Sequence, residues 1–286
     1  SQDGGFPQYD CNCQNCRLCR KGELLPMLRS SLAIVDDDEN VLFLDSSPDF
    51  KIQMASVDVI RKRYLEPDRE KRVPMVDSIF ITHAHWGHIA GLLELSAGKS
   101  YAVPVYCSEL VAKSISNSSI FGSLVRDGFI KLITLETSQL TRVINVNGEK
   151  TDFLLKVFKV KHREDFTDTF GVKVIGSDAS VGYIPDIKFL DGAVLSMISD
   201  VDVLFFEGTF FYDDELSRVS GLNKSSYELG HIPIVDSLPI FKELDLPVFY
   251  IHINHTNPIL RSSSSEYNLV FKAGLRVAYD GLRLNL

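Results

Sequence analysis

No stretch of about 18 or more consecutive apolar residues occurs in this 286-residue chain, so it offers no membrane-spanning helix. No cluster of basic residues stands out, and the net charge is −8, which argues against nucleic acid as a partner. Short-period repeats are missing, and the one low-complexity stretch, the serines at 262–265, reads as a loop. No secretion signal is visible. The expected location is therefore the cytoplasm; because the chain begins at Ser1 without Met, export through a cleaved signal is the alternative. Histidine is also scarce: there are seven, and none falls on an obvious solvent face. Acidic runs at 36–39 and 213–215 read as turns and solvated surface.

What is present points to a large core. The chain is 45% hydrophobic and 24% charged, enough for one domain over residues 1–286 with a Cys-rich segment over about 1–30. Apolar runs predict strands at 32–35, 41–44, 76–82, 103–106, 153–159, 170–175, 180–184, 203–206 and 248–253. Helical patterns follow at 50–64, 90–97, 108–116 and 234–244. Strands alternating with helices, with hairpins in each half, predict an α/β layered fold.

Three histidines crowd into Thr82-His83-Ala84-His85-Trp86-Gly87-His88, between a buried strand and a helix start. His83 and His85 are two apart and share one side of an extended chain. His88 lies one turn on. Hydrogen-bonded core histidines are the bland alternative, but three in six residues at a strand end favour metal, for which neutral imidazole is the commonest nitrogen ligand. His162, His231, His252 and His255 each sit at or near the end of an apolar stretch.

Cys11, Cys13, Cys16 and Cys19 form a C-x-C-x2-C-x2-C run. Thiols this close rarely pair as comfortable disulfides. They suit structural zinc, which takes four closed ligands in a tetrahedron. A disulfide pair in an oxidising compartment is the alternative. Local spacing favours Cys19 as the fourth ligand. Cys107 stands alone in a strand-like run and reads as buried packing.

The histidine run resembles the H-x-H-x-D-H signature of the metallo-β-lactamase superfamily, with Gly87 where the Asp normally stands. Further blocks resemble the pyrroloquinoline quinone biosynthesis protein B (PqqB) family. They are Asp3-Gly4-Gly5-Phe6-Pro7-Gln8, Cys11-Asn12-Cys13-Gln14-Asn15-Cys16, Ser46-Ser47-Pro48-Asp49, Glu207-Gly208-Thr209-Phe210, Gly230-His231-Ile232 and His252-Ile253-Asn254-His255-Thr256-Asn257-Pro258. The likeness runs from the first residues to 275–286, read as the last strand. Members of that family commonly lose the paired histidines and keep the Asp; this chain does the reverse.

The resemblance implies an αββα sandwich with metals at one edge between two sheets. It implies a first metal position of His83, His85, His162 and Asp186, and a second of His88 and His252 with Asp186 shared. Similarity to the PhnP phosphodiesterases implies that His255, three residues after His252, completes the zinc site with Cys11, Cys13 and Cys16. His255 is preferred over Cys19 because it otherwise has no role. The same similarity makes His231 a proton donor or acceptor, with a satisfied core histidine as the alternative. Glu207 reads either as support for a ligand histidine or as a strand-end residue, and Thr256 and Asn257 as caps of the turn after His255. Without the signature Asp, the second position holds only neutral imidazoles and a shared carboxylate, so one well-held catalytic metal, zinc or iron, is expected.

Three functions follow. The leading one is a PqqB-type metal enzyme acting on an amino-acid-derived or short-peptide substrate, with iron-dependent hydroxylation implied by the family. The second is a zinc hydrolase of an ester, lactone or phosphodiester. The third is a non-catalytic carrier or binding protein. The expected partner is a small molecule or short peptide, and the expected assembly a homodimer.

Overall fold

The structure is a computed structural model, and it describes residues 1–65, 74–96, 101–137, 139–163, 165–244 and 246–286. Two sheets face each other. The first has the order β1 (Leu32–Val35), β2 (Val41–Leu44), β3 (Ser78–Phe80), β4 (Val103–Cys107), β5 (Ile130–Thr134). The second runs β12 (Arg276–Val277), β11 (Val248–Ile251), β10 (Val203–Glu207), β9 (Ser180–Ile184), β8 (Thr169–Ile175), β7 (Lys150–Val160), β6 (Leu140–Ile144).

Strand alternation builds three apolar layers from these sheets. On β2, Val41 and Phe43 face helices while Leu42 and Leu44 face the other sheet. On β10, Val203 and Phe205 face inward between the sheets while Leu204 and Phe206 meet outer helices. A strand buried on both faces reads as an unbroken apolar run, which is why these strands were legible. Helix, sheet, sheet, helix is the αββα sandwich that the resemblance implied.

Several boundaries differ from expectation. β5 and β6 were missed because they are partly exposed edge strands in which apolar residues are interleaved with Lys131 and Arg142. The expected helix at 50–64 is broken at Val57, whose extended backbone separates Phe50–Ser56 from Asp58–Leu65. The helix expected at 90–97 starts earlier, at Trp86–Ile89, and continues as a 3-10 turn over Ala90–Ser96; residue 97 lies outside the described residues. The last strand is short, Arg276–Val277, rather than spanning 275–286. Among the described residues no helix is long and apolar enough to cross a membrane.

Pairing direction decides where the site can be. β9, β10 and β11 are mutually parallel, and β7 and β9 each pair antiparallel with β8, so the C-terminal ends of β7, β9, β10 and β11 lie at one edge. A backbone bond from Phe170 N–H to Thr82 O, 3.0 Å, brings the end of β3 to that same edge. Crevices beyond the carboxyl ends of parallel strands are where α/β sheets place ligands.

Candidate metal centre

That edge collects six of the seven histidines. His83 and His85 follow β3, His162 follows β7, Asp186 follows β9, Glu207 ends β10 and His252 follows β11; all are buried. His88 sits in the short helix Trp86–Ile89, for which His85 is the N-terminal cap residue. His83, His85 and His162 bring one ligand atom each within 4.8 Å of one another, as do His83, His88 and Asp186.

Each imidazole is held from behind. His83 Nδ1 lies 3.0 Å from Thr82 Oγ1, and His162 Nδ1 donates to Gly230 O at 2.8 Å. His85 Nε2 meets Asp165 at 2.7 Å, His88 Nδ1 meets Asp45 at 2.7 Å, and His252 Nδ1 lies 3.0 Å from Thr209 Oγ1. The other nitrogens face the interior of the cluster, where His83 Nε2 and His85 Nδ1 lie 2.9 Å apart. Outer partners of this kind fix ring orientation and tautomer in metal sites. Gly230 explains its own block: its φ is +92°, and a Cβ there would lie 2.8 Å from His162 Nδ1.

Asp45 and Asp165 were invisible in the sequence, because a lone Asp at a strand end or in a loop carries no pattern. Asp45 is fully buried and also accepts from Thr82 N–H, Thr82 Oγ1 and Tyr183 OH. One signal appears only in the backbone. Asp45 and His252 both adopt left-handed φ, 63° and 61°, a strain that non-glycine residues bear mostly at functional sites.

The interior fits a cation. Asp186 Oδ2 and His252 Nε2 are buried with no hydrogen-bond partner. Asp186 Oδ1 stands 3.6 Å from His162 Nε2 and His252 Nδ1, and Oδ2 stands 3.3 Å from His88 Nε2. Buried polar atoms left unpaired cost about 1–3 kcal/mol each, so such a cluster calls for an ion. Burial, with neighbouring rings adding to it, holds the His83 and His162 imidazoles well below their ordinary range, which keeps them neutral and able to bind metal.

His231 brings its ligand atom within 4.8 Å of those of Asp186, Glu207 and His252, but it is bonded to a carboxylate on its inner side. Its Nδ1 meets Glu207 Oε2 at 2.7 Å, and Glu207 also accepts from the Thr209 and Ile187 amides. Glu207 therefore supports a histidine, but it is His231, expected to move protons, rather than one of the expected ligands. Burial pushes Glu207 up to about 7 and His231 down to about 4, so the pair favours a shared proton over separated charges. Asp186 Oδ1 is 3.7 Å from His231 Nδ1, which puts this hydrogen-bonded pair against the histidine cluster. The exposed ring of Phe166 packs on His85, with centroids 5.6 Å apart, and forms part of the rim.

The seventh histidine belongs to a second centre. Cys11, Cys13, Cys16 and His255 bring their ligand atoms within 4.8 Å, with Cys13 Sγ and Cys16 Sγ each 3.6 Å from His255 Nδ1. Cys19 is buried in a small apolar cluster with Phe6 and is not in this group, so the geometry sides with His255. The five cysteines are free thiols, and Cys107 is buried packing. Burial pushes Cys16 up to about 12, a cost that a bound cation would remove by taking the thiolate. Asn257 caps the following turn through Ile259 N–H, whereas Thr256 donates to Glu215.

Gly87 breaks an expectation. A Cβ built on it would lie 1.8 Å from Asp3 Oδ1. The place of the signature carboxylate is therefore not empty: the Asp3 side chain fills it. Asp3, His88 and His252 form a further group of potential ligands, with Asp3 Oδ1 at 3.5 Å from His88 Nε2 and 3.7 Å from His252 Nε2.

Residues 40–253 match the family model of the beta-lactamase superfamily domain. Coenzyme PQQ synthesis protein B of Ruegeria pomeroyi is 31% identical over 99% of this chain and 96% of its own length. The chain belongs to the PqqB family of the metallo-β-lactamase superfamily. The Acinetobacter baumannii member is 28% identical, covering 99% of this chain and 96% of its own. The crystal structure of zinc-bound PqqB from Methylobacterium extorquens superposes with a TM-score of 0.87 at 25% identity, over 100% of this chain and 97% of that one. A diphosphatase of the PhnP family shares the fold, with a TM-score of 0.70 at 19% identity, over 99% of this chain and 93% of that one.

Proposed function

We propose that this chain is a metal-dependent enzyme of PQQ biosynthesis, acting on an amino-acid-derived or short-peptide substrate at the histidine cluster, with iron-dependent hydroxylation as the leading reaction. The observation that carries it is the buried set His83, His85 and His162, whose ligand atoms lie within 4.8 Å of one another, beside Asp186, whose Oδ2 has no hydrogen-bond partner. Histidines plus one carboxylate with open positions suit ferrous iron. Held there, iron would supply oxygen activation, and zinc would supply Lewis acidity and an acidic water. The protein's own part is to orient the three histidines through Thr82, Asp165 and Gly230, and to move a proton through His231 and Glu207 beside the reacting centre. The Cys11, Cys13, Cys16 and His255 centre serves as structural zinc.

Hydrolysis of an ester, lactone or phosphodiester is the second reading. It is favoured by the paired His83 and His85 together with the His231–Glu207 proton carrier, a set sufficient for attack by water. The two readings differ in their co-reactants. Hydroxylation consumes dioxygen and two reducing equivalents from solution; hydrolysis consumes only water. Protein purified without oxygen, loaded with ferrous iron and given ascorbate with a short tyrosine-containing peptide should take up oxygen in proportion to peptide hydroxylated. Zinc-loaded protein should not. Activity with zinc alone on ester or phosphodiester substrates, with no oxygen uptake by the iron form, would replace the first reading by the second. An inert cluster under both conditions would leave the carrier role.

A further inference from the structure

Asp3 is the carboxylate that the sequence seemed to lack. We infer that Asp3, reaching in from the first residues of the chain, takes the role of the signature Asp missing at Gly87 and completes a second metal position with His88, His252 and the shared Asp186. This rests on the reading of the histidine cluster as a metal centre.

Spacing is the first support. Tetrahedral ligands about 2.0–2.2 Å from a zinc-sized ion stand about 3.3–3.6 Å from one another. The inner separations are 3.3 Å for His88 Nε2 to Asp186 Oδ2, 3.5 Å for His88 Nε2 to Asp3 Oδ1 and 3.7 Å for His252 Nε2 to Asp3 Oδ1. These are too long for good hydrogen bonds. By contrast, the outer bonds His88–Asp45 and His85–Asp165 both close to 2.7 Å. The inner atoms stand back from one another by the width of an ion, and two of them, Asp186 Oδ2 and His252 Nε2, have no other partner.

Anchoring is the second. Gln2 N–H donates to Ile253 O at 2.9 Å, beside His252, and Arg29 Nε donates to Asp3 O at 2.7 Å. Arg29 is held by Asp49 through its backbone N–H, 2.8 Å, and its guanidinium, 3.2 Å, and its guanidinium carbon lies 5.3 Å from the centre of the Trp86 ring. Asp49 closes the Ser46-Ser47-Pro48-Asp49 block, which so acquires a purpose. A ligand on a chain segment pinned at the preceding residue and at its own carbonyl is preorganised, not a floating tail.

Mutual exclusion is the third. Gly87 is not among the positive-φ glycines, so its backbone would accept a side chain. What forbids one is Asp3 itself, whose Oδ1, Cγ and Cβ lie 1.8, 2.4 and 3.1 Å from a Cβ built at position 87. One carboxylate fits there, from either position.

The test is zinc titration calorimetry with elemental analysis of chelator-treated protein that retains its cysteine-site zinc. Wild type should bind two further zinc ions. Asp3→Asn should keep one and weaken the other at least tenfold. Gly87→Asp alone should weaken that ion too, because two carboxylates contend for one volume. Asp3→Gly/Gly87→Asp should restore the second ion to within a few-fold of wild type, which a general folding defect cannot do. Full second-ion binding in Asp3→Asn, a single catalytic zinc in wild type, or tighter binding in Gly87→Asp would each overturn the role of Asp3. Wild type that binds no zinc beyond the cysteine site would instead overturn the metal-centre reading itself.

Discussion

The two candidate metal centres lie three residues apart on one segment, His252 facing one and His255 the other, yet they are built in opposite ways. Three of the four cysteine-site donors come from six consecutive residues, and the helix Gln14–Arg20 begins inside the motif, with Cys13 Sγ accepting from Cys16 N–H. The histidine centre draws on the ends of β3, β7, β9 and β11 and on the first residues of the chain. Its rings are each oriented by a partner behind them. At the cysteine site the support recorded around His255 is to its backbone, from Asn15 Nδ2 to His255 O at 2.9 Å. A local site depends on its ion to hold it together; a site made of strand ends is held by the fold and only then receives its ion.

The largest effect that follows is on stability, at the cysteine centre. Cys16→Ser should remove about one zinc per chain and lower stability by several kcal/mol, since metal-binding free energy is folding free energy in such sites. His255→Ala should do the same. Unchanged zinc in His255→Ala, with loss in Cys19→Ser, would reverse the choice of fourth ligand.

At the histidine centre the same kind of change should cost activity rather than fold. His83→Ala or His85→Ala should abolish turnover and lose one metal while thermal unfolding stays near wild type. A fall in melting temperature as large as that of Cys16→Ser would erase the contrast between the two sites.

A smaller loss is expected at His231, which touches the cluster but is bonded to Glu207. His231→Ala should keep the full metal complement and reduce turnover by roughly 100- to 10,000-fold, the usual range for a positioned acid or base. Metal lost from this variant would make His231 a ligand.

The mildest effect is in pH. Burial disfavours a charged His88, but Asp45, Asp186 and Asp3 outweigh it and raise the ring to about 10 in the metal-free protein. A ligand imidazole must be neutral at the metal-facing nitrogen, so an ion at the second position displaces a proton. Below about 10, affinity there should rise with pH, by up to tenfold per unit, with proton release seen as buffer-dependent heat. Affinity that is flat between pH 6 and 8 would mean His88 is already neutral. The cysteine centre should also tighten with pH, because burial holds Cys16 protonated up to about 12.

Much of both sites was legible in the chain. Histidine and cysteine are scarce, so their spacing is informative, and strand-end placement marked His83, His162, Asp186 and His252. The carboxylates behind the rings were not legible. Aspartate is common, and nothing local separates Asp45 or Asp165 from the solvated acids at 36–39. The Asp3 side chain beside Gly87 was not legible for the same reason: Gly87 reads as a lost ligand when only its own motif is in view.

Sequence alone determined the donor types, the alternation of apolar faces that stacks two sheets, and the local thiol cluster, because these depend on residues near one another in the chain. Tertiary structure alone decided that Asp165 stands behind His85 and Asp45 behind His88, that Glu207 serves His231, and that Asp3 fills the volume beside Gly87. Those hydrogen-bonded pairings join residues far apart in the chain, from 24 positions for Glu207 and His231 to 80 for His85 and Asp165. They exist only once strand direction has brought the ends of β3, β7, β9, β10 and β11 to a single edge, where burial leaves charged atoms no water to turn to.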